Sequence, residues 1–134
     1  MPELPPGKVT QAIAGLTALA YFVLWLGGWL DYAALAGGFV PARATGLLNV
    51  AGAVPVWLTP LSATLIHAGL LHLAFNMLMF LFVGRFVESV IGGGTSLFLY
   101  VAGAYAAALL HWSIDPAQTV PMVGASGAIS ATFG

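Results

Sequence analysis

Apolar positions run along this chain in blocks too long for a soluble fold, with short polar stretches between them. Val9–Leu30 is 22 residues without a charge. At about 1.5 Å per residue a helix of that length reaches about 33 Å, enough to cross a hydrocarbon core of about 30 Å. Trp25, Trp29 and Tyr32 gather at its far end, as an interfacial aromatic belt would. A second apolar block opens at Ile66 and runs into Gly84-Arg85-Phe-Val-Glu88, which predicts a span over 66–88. Ile91-Gly-Gly-Gly94 breaks it, and Thr95–Trp112 forms a third. The polar loop Ser113–Thr119 follows, and from Val120 the chain turns apolar again to Gly134. That last stretch covers about 15 of the roughly 20 residues a span needs, so the chain is expected to break off inside a fourth helix. The pattern predicts an all-α, polytopic transmembrane bundle with spans at about 9–30, 66–88, 95–112 and 120–134.

Two stretches do not fit that rhythm. Residues 1–8 hold Pro2, Pro5 and Pro6 and read as a short N-terminal lead. Residues 31–65 carry Asp31, Arg43 and Asn49, prolines at 41, 55 and 60, and the breakers Gly37-Gly38 and Gly52. Pro and Gly at that density cut helices into short pieces. Yet Phe39, Leu47-Leu48, Val56-Trp57-Leu58 and Leu61 remain, so this loop is expected to lie in the interface or pack on the bundle. From composition alone an ordinary extracytoplasmic linker fits equally well. A cleaved signal peptide is the rival for the first span, because Lys8 precedes it and Ala34-Leu-Ala36 follows, but signal cores run only about 7–15 residues.

Composition narrows the classes further. Hydrophobic residues make up 60% and charged residues 5%, too few charges to cover a soluble surface. A net charge of −1 offers no basic patch for nucleic acid. Without cysteine there is neither a disulfide nor a thiolate metal site, and the three histidines show no metal-ligand spacing. No cofactor is suggested, since Gly92–Gly94 is a turn between helices rather than a phosphate loop. Lys8 and Arg85 fall on one side and Arg43 on the other, which favours a cytoplasmic N-terminus. Substrate identity and oligomeric state leave no mark in the chain.

The chemistry concentrates in His67-Ala-Gly-Leu-Leu-His72-Leu-Ala-Phe-Asn76. Intramembrane polar groups are site candidates by default. At about 100° per residue His72 and Asn76 share one helical stripe, while His67 points roughly 140° away. Ser126, between Gly124-Ala and Gly127, lies six residues below Val120, as His72 lies six below Ile66, so both are expected about 9 Å down neighbouring helices. A serine flanked by glycines at the depth of a His/Asn stripe suggests a nucleophile with oxyanion donors. Plainer readings stand beside this one: Gly-Ala-Ser-Gly as a helix-packing surface, His72 as a hydrogen-bonded spectator, Asn76 as interhelical glue.

Together these motifs resemble the rhomboid intramembrane serine proteases. H-x-x-x-x-H-x-x-x-N at the head of one core helix and G-x-S-G about fifty residues later are specific, and Gly84 with Glu88 also matches the family pattern. The resemblance covers roughly residues 9–134, about the first four of six core helices. It implies Ser126 as nucleophile, His72, Asn76 and the Ser126 amide as oxyanion donors, and structural roles for His67 and Glu88. It further implies transmembrane proteins as substrates, a bacterial cell (inner) membrane, and a general base on a histidine of the sixth helix. That histidine is not among these 134 residues, so they are expected to be inactive alone. Two alternatives remain at this level: an inactive rhomboid-like protein that binds membrane segments, and an unrelated small membrane protein.

Overall fold

A computed structural model describes residue 3 and residues 6–133; of the expected lead over 1–8, residues 1, 2, 4 and 5 lie outside them, and Lys8 already opens the first helix. The described residues are helical, without a strand. In chain order they form α1 (Lys8–Leu26), α2 (Leu30–Gly37), α3 (Pro41–Ala44), α4 (Thr59–Ser62), α5 (Leu70–Ile91), α6 (Gly93–Ile114) and α7 (Ser126–Phe133). Two 3₁₀ turns, Val56–Leu58 and Ala63–Leu65, flank α4. By length and apolarity α1, α5 and α6 can each cross a membrane. Their outward faces carry exposed Leu71, Phe75, Leu78, Phe82 and Phe86 along α5 alone, an apolar surface suited to a membrane. The protein is an integral membrane helix bundle.

Helix ends depart from the hydropathy blocks wherever glycine intervenes. α1 stops at Leu26 and not Leu30, because Gly28 takes φ 72° and the chain restarts as α2. α5 begins at Leu70, four residues after Ile66, since Gly69 at φ −165°, ψ 172° is extended. α7 begins only at Ser126, because Gly124 adopts φ 102°, a conformation side chains disfavour. A hydropathy block measures what sits in an apolar medium, and extended chain can sit there too once its backbone is paired.

The segment between α1 and α5 is the chopped stretch that its prolines predict, with Pro41 and Pro60 in the first turns of α3 and α4. It packs on the bundle. Tyr105 donates its hydroxyl to Trp57 C=O at 2.8 Å, and Trp112 Nε1–H donates to Thr45 Oγ1 at 2.8 Å. Arg43 Nη2 donates to Val54 C=O at 2.8 Å and so folds the segment onto itself.

Two seams hold the long helices. At the first, α1 and α5 run antiparallel with Gly84 under Thr10; a Cβ there would stand 2.8 Å from Thr10 Cγ2. One turn on, the Glu88 carboxylate accepts the Val9 N–H (3.0 Å), the Thr10 N–H (2.8 Å) and the Thr10 hydroxyl (2.7 Å). The α1 N-cap is Gly7, which offers no side chain. Glu88 therefore caps α1 across the bundle, an anion on the positive end of a helix dipole. Glu88→Ala is expected to lower stability by about 1–3 kcal/mol, read as the unfolding midpoint in detergent. An unchanged midpoint would leave the cap without a role. At the second seam α6 meets α7, where Gly103 and Ala107 face Ala131 and Gly127.

Candidate active site

His72 is the third residue of α5, and Asn76 lies one turn deeper on the same helix. His72 is half-buried and Asn76 is buried. The Asn76 Nδ2 has no hydrogen-bond partner, so an unspent donor sits inside the bundle, a costly arrangement unless something comes to accept it. His67 is not on α5 at all. It belongs to the non-helical chain that precedes the helix, so the 140° separation drawn from helical geometry does not apply. The two imidazoles lie together, ring centroids 4.8 Å apart and tilted by 59°.

Hydrogen bonds assign the accepting nitrogen of each ring. The Ala68 N–H donates to His72 Nδ1 at 3.3 Å, so its proton sits on Nε2. That Nε2 edge faces Gly124: a Cβ on Gly124 would stand 2.9 Å from Nε2 and 2.7 Å from Cε1. The Ala125 N–H donates to His67 Nε2 at 3.3 Å, so the His67 proton sits on Nδ1, which is buried and has no partner.

Burial, with His72 beside it, pushes His67 down to about 4. His67 lies in the connection ahead of α5, outside the spanning helices. The folded chain thus holds it neutral where the unfolded chain, with an ordinary histidine near about 6.5, takes a proton. Stability is full above about 6.5, falls as pH drops toward about 4, and is flat below that for this group. Unfolding midpoints in detergent across that window should show the slope, and His67→Gln should flatten it. A slope that survives His67→Gln would assign it to another group.

Ser126 opens α7 and is exposed. The first amide to bond within α7 is Ile129 N–H, to Ala125 C=O at 2.8 Å. The Gly124 N–H is already given to Ala63 C=O at 2.8 Å, and the Ala125 N–H to His67. The Ser126 amide is then the first of the helix N-terminal donors left for an incoming anion. Ser126 lines a cavity of about 110 Å³ with Gly124, Gly127, Val123, Thr64 and Ala107. His72 does not line it; His72 reaches the head of α7 through Gly124, two residues before Ser126. The equal depths inferred from sequence become a different fact: both residues sit in the first turn of their helices. His111 stands near the end of α6, one turn past the Ala107 that packs on Gly127, with its Nε2 buried and unpartnered.

Several contributors carry no sequence signal because they act through the backbone. Phe39 and Met122 exchange both backbone hydrogen bonds, 3.0 and 2.8 Å, and Ala42 N–H donates to Gln118 C=O at 3.0 Å. With Ala63 C=O on Gly124, these tie the whole approach to Ser126 onto the connecting segment. A larger apolar cavity of about 480 Å³ lies away from this site, between the end of α1 and Tyr32, Val54 and Ile66. Among the described residues no cluster of histidine and carboxylates could hold a metal ion.

Residues 55–134 match a family model described as Rhomboid domain. The chain is 36% identical over 78 residues to Rhomboid protease GluP of Bacillus subtilis (strain 168), a match covering 58% of this chain and 15% of that protein. No solved structure gives a significant match.

Proposed function

This chain belongs to the rhomboid family, and from that premise we propose that it carries the nucleophile and oxyanion donors of an intramembrane serine endopeptidase acting on transmembrane proteins. The observation that carries the reading is the head of α7: an exposed serine with a free amide, behind a glycine that the Nε2–H edge of His72 faces. In this mechanism Ser126 Oγ attacks the scissile carbonyl. The oxygen that becomes negative is held by the Ser126 N–H, the His72 Nε2–H and the unspent Asn76 amide, donors fixed before charge develops. Gly124 and Gly127 make room, the first for the His72 ring and the second for α6.

A serine hydroxyl needs a base within reach. His67 spends Nε2 on Ala125, and His72 spends Nδ1 on Ala68 and is needed as a donor. Following the family resemblance, we place the base on a histidine outside these 134 residues, in a Ser-His dyad, and expect the residues alone to be inactive. Glu88 caps α1 and takes no part in the chemistry. Lys8 and Arg85 share one end of the bundle, where the Gly7 backbone lies against Arg85, and Arg43 lies in the connecting segment. This supports a cytoplasmic N-terminus, and the bacterial relative supports a bacterial cell membrane.

The test is cleavage of a transmembrane substrate by the complete domain reconstituted in lipid. Asn76→Ala should lower kcat by about 10²–10³, the worth of one oxyanion donor. An unchanged rate would remove Asn76 from the site. A complete domain that binds substrate without cutting it would be an inactive rhomboid-like protein.

A further inference from the structure

We propose that His67 is a positioning residue for the nucleophile: by accepting the Ala125 N–H on Nε2, it fixes the turn from which Ser126 is presented. The proposal rests on the reading of Ser126 given above. His67 is 1% exposed and Ala125 0% exposed, so neither partner can turn to water instead. Without that acceptor the Ala125 amide would be a buried donor with nothing to bond. Gly124, held at φ 102°, gives its own N–H to Ala63 C=O. Two consecutive amides just ahead of Ser126 are thus anchored to one short segment, residues 63–67.

The cost of the arrangement points the same way. Holding Nε2 as acceptor forces the proton to Nδ1, which is buried with no partner. A residue that served packing alone would be apolar here and would leave no orphan donor. His67 acts through the backbone and cannot be the base, because its accepting nitrogen is already engaged.

The experiment uses the complete domain with H67Q, H67M and S126A, with rates expressed per folded molecule. H67Q keeps an acceptor, its amide oxygen, near the place of Nε2. H67M keeps volume and removes the acceptor. H67M is expected to lose about 10–100-fold in kcat with KM little changed, as displacement of a reacting group by about 1 Å would cause. H67Q is expected to recover most of that loss. A residue that is merely structural would change the yield of folded protein and leave kcat per folded molecule alone. Wild-type kcat in H67M, or equal impairment of H67M and H67Q, would overturn the proposal while inactive S126A left the site standing. Undiminished cleavage by S126A would overturn the site and the proposal together. Should H67M not fold, hydrogen exchange decides: a protected Ala125 amide in wild type and H67Q supports the proposal, and rapid exchange in wild type overturns it.

Discussion

Ser126→Ala in the complete domain is expected to abolish cleavage of a transmembrane substrate while leaving the bundle folded. The expected loss is at least about 10⁴-fold, since removing the nucleophile of a serine enzyme leaves only what binding and the oxyanion donors supply. The fold should not notice. Ser126 is exposed, and the bond it contributes is through its backbone C=O, which accepts the Ser130 hydroxyl at 2.7 Å. Alanine keeps that carbonyl and is at home in the first turn of a helix, so the stability change should stay within about 0.5 kcal/mol. A cleavage assay and an unfolding curve on the same preparation separate the possibilities. Full activity would sink the nucleophile assignment. Loss of activity together with several degrees of midpoint would make the serine a packing residue, as the plainer reading of Gly-Ala-Ser-Gly has it.

How much of this was legible beforehand depends on whether side chains or backbone carry the information. The spanning helices follow from uninterrupted apolar runs, and the chopped connection from Pro41, Pro60, Gly37-Gly38 and Gly52. Gly103 and Ala107 meet Ala131 and Gly127 at separations only small residues permit. A helical wheel fails at His67 because it assumes a helix there. Residues 66–69 are not helical, and this bend sets the His67 ring against His72. Hydropathy block starts imply a shared depth for His72 and Ser126, whereas glycines at 69 and 124 set the real helix starts. The clasp on the α7 approach, Phe39 with Met122 and Ala63 with Gly124, is made of amides and carbonyls. Every residue type carries those, so no pattern of side chains announces them.

Gly103→Leu is expected to have the largest effect on stability, at least about 3 kcal/mol, and to take activity with it. A Cβ on Gly103 would stand 2.4 Å from Ala131 Cβ and 3.2 Å from both Ala128 Cα and Gly127 O. The last two are near backbone, which cannot rotate aside, so a leucine must push α7 off α6. In lipid that seam is held mainly by close packing, because tails are as apolar as the side chains and give no hydrophobic drive to re-form it. Gly15, on α1, meets nothing within 4 Å of the same added atom. Gly15→Ala should therefore be neutral or stabilising by up to about 1 kcal/mol, since alanine is the better helix former. The comparison bears on the site as well. Ser126 and Gly127 open the helix that Gly103 seats, so displacing α7 moves Ser126 away from Gly124 and the His72 edge. Ser126→Ala should lose activity alone, and Gly103→Leu should lose activity and fold together. If Gly103→Leu melts like wild type yet cuts no substrate, α7 is not seated by this seam and its packing cannot be what places Ser126.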